Sequence, residues 1–511
     1  MQNLNLNSKQ KIYNFESIAE VVLKLKSVGK RVALCHGVFD LLHPGHIQHF
    51  EEASKLADYL LISVTSDRYV NKGPGRPLFS ELVRAQALSG IGVIDGVIIS
   101  DQPTAIEIIN HVKPDIYIKG PDYTDNDVTG MIEREKEAVL NNGGEIYFTS
   151  GFTSSSSKLI NMFYSNLSEN TQKWVSNFKE DEGYKKVVDS LEKISRIKPL
   201  ILGELILDQY TSCFPLSKSS KDPILAFQIS ETNIFPGGVM AIANNCSGWT
   251  SEVKVITFAA DKIVENFSLV DKLDKKISLD LVFTKDRPTI LKHRYVESSS
   301  SIRLFEYYDF SDSRLLPKDA KSITNKIKIA YEDYDLIIVA DYGHGYFSDE
   351  VISVVENLDI FKSVNTQANA GNRGFNTISK YSKADLITFN GAELQLELRD
   401  RNPDYFKIVP KIMKEKGSSY AIVTLGGDGL IVFDAKGKFE KVPAFANKLV
   451  DKVGAGDAVF AIASLLAKVN APLSVIGFLS NLVAAHEVAQ LGHEKSLQFS
   501  DLLKQAKALL G

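Results

Sequence analysis

Two histidines three residues apart, His43 and His46, lie in the stretch Gly37-Val38-Phe39-Asp40-Leu41-Leu42-His43-Pro44-Gly45-His46. That spacing places both imidazoles on one face of a helical turn. Far along the chain, Val453-Gly454-Ala455-Gly456-Asp457 sets a carboxylate at the end of a glycine-rich turn. Both places are suited to handling phosphate. A helix start presents N–H groups without intrahelical partners and the positive end of the dipole, so it is a ready anion site. Gly45 lets the backbone approach a phosphate closely. Asp457 is positioned to take a proton from an attacking hydroxyl. The N–H groups of Gly454, Ala455 and Gly456 are suited to holding developing phosphoryl charge.

The histidine stretch needs a strand before it and a helix after it. Val32-Ala33-Leu34-Cys35 is short and apolar enough for a buried strand, and Ile47 to Ala57 has helical spacing. Further strands are expected at Tyr59–Val64, Val97–Ile99, Ile116–Ile118 and Glu145–Phe148. Helices are expected at 17–29, with Ser17-x-x-Glu20 as capping box, at Glu81–Leu88 and at Thr104–His111. The alternation predicts a parallel sheet with helices on both faces. In such sheets ligands bind at carboxyl ends of strands, where strand order reverses. Three loops are expected to converge there. Asn71 to Pro77 carries Lys72 and Arg76, and Lys119-Gly120-Pro121-Asp122 follows a strand end. The third, Thr153-Ser154-Ser155-Ser156, is read as a hydroxyl-rich helix start that holds a triphosphate.

Residues 161–195 are rich in Asn, Ser, Lys, Glu and Asp and are read as a linker, with some helix at Tyr184–Ile194, between a domain at 1–160 and one at 196–511. In the second domain, strands are expected at Pro199–Glu204, Val253–Phe258, Leu279–Phe283, Thr289–His293, Leu336–Ala340, Leu386–Phe389 and Ala421–Thr424. A hairpin is expected at Asp434–Gly437 and a helix at Ala458–Leu466. The loop holding Thr424, Gly426 and Gly429 is suited to lining a nucleotide, and Asn390 with Glu393 to a hydrated Mg²⁺.

A net charge of −4 over 511 residues implies no large basic surface, so no nucleic-acid partner is expected. Cys35, Cys213 and Cys246 are scattered and fit a reducing cytosol. The N-terminus lacks a signal-peptide core and no apolar run is long enough to span a bilayer. A soluble cytoplasmic protein is expected.

The segments GVFDLLHPGH, SDRYVNKGPGRP, IKGPDY and TSSSS, with Arg84, resemble the cytidylyltransferase-like nucleotidyltransferases, especially the adenylyltransferase half of the bacterial heptose kinase/adenylyltransferase. The resemblance implies a Rossmann-like sheet and in-line attack of a phosphate monoester on the α-phosphate of a nucleotide, with pyrophosphate leaving. His43, His46, Lys72 and Arg76 would stabilise the phosphates. Gly37, Phe39, Asp40, Gly45, Arg84, Lys119, Asp122 and Thr153 to Ser156 would line the nucleotide.

Residues 198–508 resemble the ribokinase-like (PfkB) sugar kinases, most specifically at Gly454 to Asp457. This implies an α/β domain with a small β lid and Asp457 as catalytic base, beside an anion hole at 454–456. Asp208, Gly237 and Gly238 would bind sugar hydroxyls, and Asp341, in Asp341-Tyr342-Gly343-His344-Gly345, would lie near the substrate. Arg294 and Arg303 would hold a substrate phosphate, and Asn390 and Glu393 would help place the metal. The chain departs from that family at Val453, at Glu204 and at Asn365-Thr366-Gln367, which replaces D-P-K. Its domain order is the reverse of the heptose enzyme's. The expectation is a bifunctional enzyme: a kinase makes a sugar phosphate and a nucleotidyltransferase consumes it. ATP, possible CTP and Mg²⁺ are the implied ligands, and a homodimer the implied assembly. The alternative is a nucleotidyltransferase fused to a non-catalytic sugar-binding module.

Overall fold

The computed structural model describes residues 11–120, 131–150, 167–260, 273–299, 302–492 and 496–511. The chain forms two compact units that divide between Asn166 and Leu167, with Leu503–Leu509 grouped with the first.

The first unit is a six-stranded parallel sheet. Its strands are β1 (Ile12–Tyr13), β2 (Val32–Gly37), β3 (Tyr59–Thr65), β4 (Gly96–Ser100), β5 (Ile116–Lys119) and β6 (Glu145–Phe148), in the order β1-β4-β3-β2-β5-β6. Alternate residues of β2 serve two cores. Val32 and Leu34 pack with Ile18, Val22 and Ile108 on one face; Ala33 and Cys35 pack with Phe50, Ala53 and Leu88 on the other. Both faces are covered, which is why its strands read as continuous apolar runs. Strand order reverses between β2 and β5, so the end of β2 is where a ligand crevice is expected. One boundary differs from the sequence reading. The first helix is Phe15–Ser27, capped by Asn14, whose side chain accepts from the Ser17 N–H at 2.7 Å. Ser17 lies inside the helix because Asn14 already supplies the cap.

The second unit has a nine-stranded sheet and a four-stranded lid. The larger sheet begins with β7 (Pro199–Gly203), and the lid with β8 (Leu205–Lys218) and β9 (Leu225–Gly238). β10 (Val253–Ala260) and β11 (Ile277–Thr284) pair parallel on one side of β7. β12 (Ile290–Glu297) and β13 (Arg303–Asp309) complete the lid, in the order β13-β12-β8-β9. On the other side of β7 follow β14 (Leu336–Asp341), β15 (Phe361–Thr366), β16 (Leu386–Asn390) and β17 (Tyr420–Thr424), then the antiparallel β18 (Leu430–Asp434) and β19 (Phe439–Val442). β7 is thus the strand at which order reverses, and Glu204 stands directly after it. The long β8–β9 hairpin and β13 were not anticipated. Much of their length is exposed, so they lack the apolar alternation that marks a half-buried strand.

The stretch expected as a linker, 161–195, contains two helices, Glu169–Glu180 and Gly183–Ile194, that pack on the second unit. Thr171 Oγ1 donates to the Ala444 carbonyl at 3.1 Å, and Trp174 Nε1 to Glu440 at 2.8 Å. The Phe178 and Phe478 rings lie 5.4 Å apart. A polar composition concealed a narrow apolar stripe, which is all that a surface helix needs. Phe178→Ala should lower the stability of the second unit by about 3 kcal/mol, read as a shift of its denaturant midpoint. A passive linker side chain would leave that midpoint unmoved.

Candidate active sites

In the first unit, the helix Pro44–Ser54 begins where β2 ends, with Pro44 in its first turn. Proline suits that place because its missing N–H would have had no intrahelical partner. His43 is the cap: its Nδ1 accepts from the Gly45 N–H at 3.2 Å. The His43 and His46 rings lie 4.0 Å apart, so the shared face expected from their spacing is present. Burial lowers the His46 pKa to about 3, helped by the charges of His43, His49 and Lys72. His46 is therefore a neutral N–H donor at pH 7, and the nearby positive charge comes from Lys72. His49, which meets Thr149 Oγ1 at 2.8 Å, is lowered to about 4, chiefly by burial.

Several expected nucleotide contacts instead build the loop. Phe39 takes φ 50° and lays its ring 5.3 Å from Phe50. A Cβ on Gly37 would press on that ring at 3.0 Å, so glycine leaves the space it needs. Asp40 is buried, pairs with Arg76 Nε at 2.8 Å, and accepts from the Leu78 N–H at 2.8 Å. Lys119 pairs with Glu135 at 2.8 Å. Arg84 is 2% exposed. Its guanidinium donates to the carbonyls of Phe79, Val38 and Thr65 at 2.6–2.9 Å, and to Asp67 at 2.6 Å. A buried cation has to be met by oxygens, and the chain folds its loops around this one. Asp122 and Thr153, Ser154, Ser155 and Ser156 lie outside the described residues.

In the second unit, Gly454 (φ 85°) opens the helix Ala455–Lys468. A Cβ at Gly456 would meet nothing within 4 Å, so the turn is open rather than packed over. Asp457 Oδ1 accepts from the Tyr342 hydroxyl at 2.8 Å. Tyr342 belongs to a loop organised by Glu204, which is fully buried. Glu204 accepts from the N–H groups of Tyr342, His344 and Tyr346 at 3.0–3.2 Å. Burial and the neighbouring Asp341 charge raise its pKa. A Cβ on Gly237 would collide with the Asp208 carboxylate, and Gly238 (φ 57°) turns β9 into the following helix. Thr424 closes β17 and bonds the Phe389 carbonyl at 3.4 Å. Gly426 and Gly429 both have positive φ, and a side chain at Gly429 would strike the Val442 carbonyl.

Four of the expected groups are engaged by other residues. Asp208 forms a buried pair with Arg294. Arg303 pairs with the buried Asp451, which also accepts from Tyr210 Oη at 2.6 Å. Asp341 is taken up by Lys380, by Tyr381 Oη at 2.6 Å and by the Gly343 N–H at 3.0 Å. Asn390 and Glu393 form a capping box: Asn390 accepts from the Glu393 N–H, and Glu393 from that of Asn390, at 2.8 and 2.7 Å. Glu393 also accepts from the Ala368 N–H at 3.2 Å. Both carboxylate oxygens of Glu393 thus accept from backbone N–H groups. Among the described residues no group of three or more His, Cys, Asp or Glu could hold a metal ion. N-x-x-E serves a helix cap equally well, so spacing alone could not separate the two.

Sequence reasoning passed over Lys292, on β12 of the lid. Its ammonium is within electrostatic reach of Asp208, Arg294, Asp457 and Glu306, and burial lowers its pKa. Register could have found it, since Lys292 pairs with Asp208 across β12 and β8.

Two outcomes follow. Arg84→Lys keeps the charge but not the planar fork, so it should cost the first unit about 3 kcal/mol, measured by denaturant unfolding. Direct nucleotide binding would instead raise KM and spare the midpoint. Glu393, ordinarily at 4.5, is held near 7, chiefly by burial. The folded state then holds the proton more tightly, so the second unit loses stability as pH rises from 4.5 to 7. Glu393→Gln should remove that slope, of up to about 3 kcal/mol, in unfolding measured across this range.

Residues 34–162 match the family model described as cytidylyltransferase-like, and residues 269–498 the one described as pfkB family carbohydrate kinase. The Bifunctional protein HldE of Syntrophotalea carbinolica is 38% identical over 143 residues, 28% of either chain. HldE of Paramagnetospirillum magneticum is 41% identical over 122 residues, 24% of this chain and 25% of that one. The chain thus spans little more than a quarter of the length of these curated relatives. Phosphofructokinase-2 from Escherichia coli, in complex with potassium, superposes with a TM-score of 0.50 at 17% identity, over 62% of this chain and 99% of that one, and so shares the fold. The chain carries a cytidylyltransferase-like domain followed by a pfkB-family carbohydrate kinase domain.

Proposed function

We propose that the protein is a bifunctional enzyme of nucleotide-sugar biosynthesis. The second unit phosphorylates a sugar or sugar phosphate with ATP. The first transfers AMP or CMP to the resulting sugar phosphate and releases pyrophosphate. The observation that carries this reading is the open Gly454–Gly456 turn with Asp457 beside it, repeated in kind at the His43/His46 helix start. In the kinase step, Asp457 accepts the proton of the attacking hydroxyl and the 454–456 N–H groups hold charge on the transferred phosphoryl. ATP enters as its magnesium complex, the ion carried by the phosphates. In the nucleotidyl step, His43 and His46 donate to the phosphates and Lys72 supplies charge.

Lys292 on the inner face of the lid favours an acceptor that is already anionic, of the heptose 7-phosphate type. The acceptor's hydroxyls would have to be met around, rather than by, the Asp208–Arg294 pair. The lid's outer face stacks Tyr295 on Phe305 at 4.5 Å and His293 on Tyr307 at 4.2 Å, with Phe305 and Tyr307 exposed. A homodimer through this face is part of the proposal. The three cysteines are buried thiols, in keeping with a cytoplasmic setting. No helix among the described residues is long and apolar enough to cross a membrane.

The second reading, a kinase-like module that binds without turnover, is favoured by the sequestered Asp208 and by the altered segment at Asn365–Gln367. The two readings separate in one experiment. The protein is incubated with ATP or CTP and a panel of sugars and sugar phosphates, while ADP and pyrophosphate are followed separately. His46→Ala should cut pyrophosphate release by about 100-fold and spare ADP formation. Asp457→Ala should cut sugar-dependent ADP formation by 100-fold or more, as expected of roughly that much base catalysis, and spare pyrophosphate release. Pyrophosphate without any sugar-dependent ADP would establish the second reading.

A further inference from the structure

Tyr342, whose hydroxyl meets Asp457, is held through both its side chain and its backbone. Its side chain is 2% exposed, and its hydroxyl donates to Asp457 Oδ1 at 2.8 Å. Its N–H donates to Glu204 Oε2 at 3.1 Å. Its carbonyl accepts from Asn369 Nδ2 at 2.8 Å and Asn372 Nδ2 at 2.7 Å. Asn376 adds a bond to the preceding carbonyl, that of Asp341, at 2.8 Å. A side chain at Gly343 would collide with the Asn372 amide, so glycine is what lets the asparagines reach the backbone. These contacts come from the positions at which the chain departs from its family: Glu204, and the Asn-rich segment after β15. Glu204 and the asparagines hold the backbone at Tyr342, and the Tyr342 phenol meets one carboxylate.

We infer that Tyr342 is a positioning residue of the kinase half: its hydroxyl orients the Asp457 carboxylate and favours its ionised form. This rests on the kinase reading above. In the step itself, the sugar oxygen bonds to the γ-phosphorus, the bond to ADP breaks, and the hydroxyl proton passes to Asp457. Tyr342 keeps its own proton throughout. Burial and the Asp457 charge hold its pKa well above the usual value, so it remains a donor. A donor on a carboxylate stabilises the anion and keeps it available as a base. Charged groups near Asp457 among the described residues include Lys292 of β12 and Glu393 at the start of Gly391–Leu398, and Glu204 and Asp208 lie near Tyr342.

The test is Tyr342→Phe in the full chain, which keeps the ring and removes only the hydroxyl. Carboxyl ¹³C NMR of aspartate-labelled protein, with Asp457→Asn assigning the resonance, reads the Asp457 midpoint without needing the sugar. That midpoint should rise by about one pH unit. In the kinase assay the acid limb of kcat should move up with it, with kcat down about tenfold at neutral pH and KM for ATP unchanged. If circular dichroism shows that Tyr342→Phe does not fold, Asn369→Ala, which only loosens the clamp, should give a smaller shift in the same direction. An unmoved midpoint and acid limb, whatever the rate, would overturn the inference. Absence of sugar phosphorylation by the wild type would instead sink the kinase reading, while the NMR midpoint still decides whether Tyr342 governs Asp457.

Discussion

A charge removed from water has to be met by the dipoles of the chain that buried it. Each unit is arranged around one such charge. In the first, the Arg84 guanidinium gathers carbonyls from Val38, Thr65 and Phe79, three separate stretches that flank the His43 helix start. In the second, the Glu204 carboxylate gathers three N–H groups from the loop that carries Tyr342. Both hold loops that would otherwise be slack, and removing one partner from such a buried set costs about 3–5 kcal/mol. The signs are opposite because the loops present opposite groups: carbonyls call for a cation, N–H groups for an anion.

This division explains what could be read from the residues and what could not. Strand–turn–helix at His43 and glycine-turn–helix at Asp457 were legible because local periodicity and turn chemistry specify them within about ten residues. The two α/β sheets followed from alternation. The partners of Arg84, Asp208, Arg294 and Arg303 were not legible, for one reason. An isolated arginine or aspartate in a sequence shows its charge but not its partner, and the partners lie from 17 to 148 positions away. Asn390 and Glu393 are the opposite case: the pairing is local, and the same spacing serves a helix cap as well as a metal-placing pair. The helix Glu169–Glu180 was hidden because composition registers polarity before it registers a stripe.

The segment after β15 shows how a departure from a family pattern can be absorbed. A strand-end D-P-K would place a charge pair and a rigid turn there. This chain places amides instead, and Asn369, Asn372 and Asn376 spend them on the carbonyls of Asp341, Tyr342 and Gln367. Lys380 then reaches Asp341 from the next turn and supplies the cation nearby. Neutral hydrogen bonds need no counterion and carry no large desolvation penalty, so the loop is held without adding charge beside Asp457.

The two sites share backbone physics and differ in side chains, and the difference follows from the nucleophile. Under the proposed reactions, the nucleotidyl step uses a phosphate monoester, which is largely ionised at neutral pH and needs no base. A buried, neutral His46 is then adequate: it can donate to a phosphate without adding a charge that the site would have to neutralise. The kinase step uses a sugar hydroxyl, which must lose a proton as it attacks, so a carboxylate has to stand at the turn and stay ionised there. That is why one helix start is furnished with imidazoles and the other with an aspartate held by a phenol.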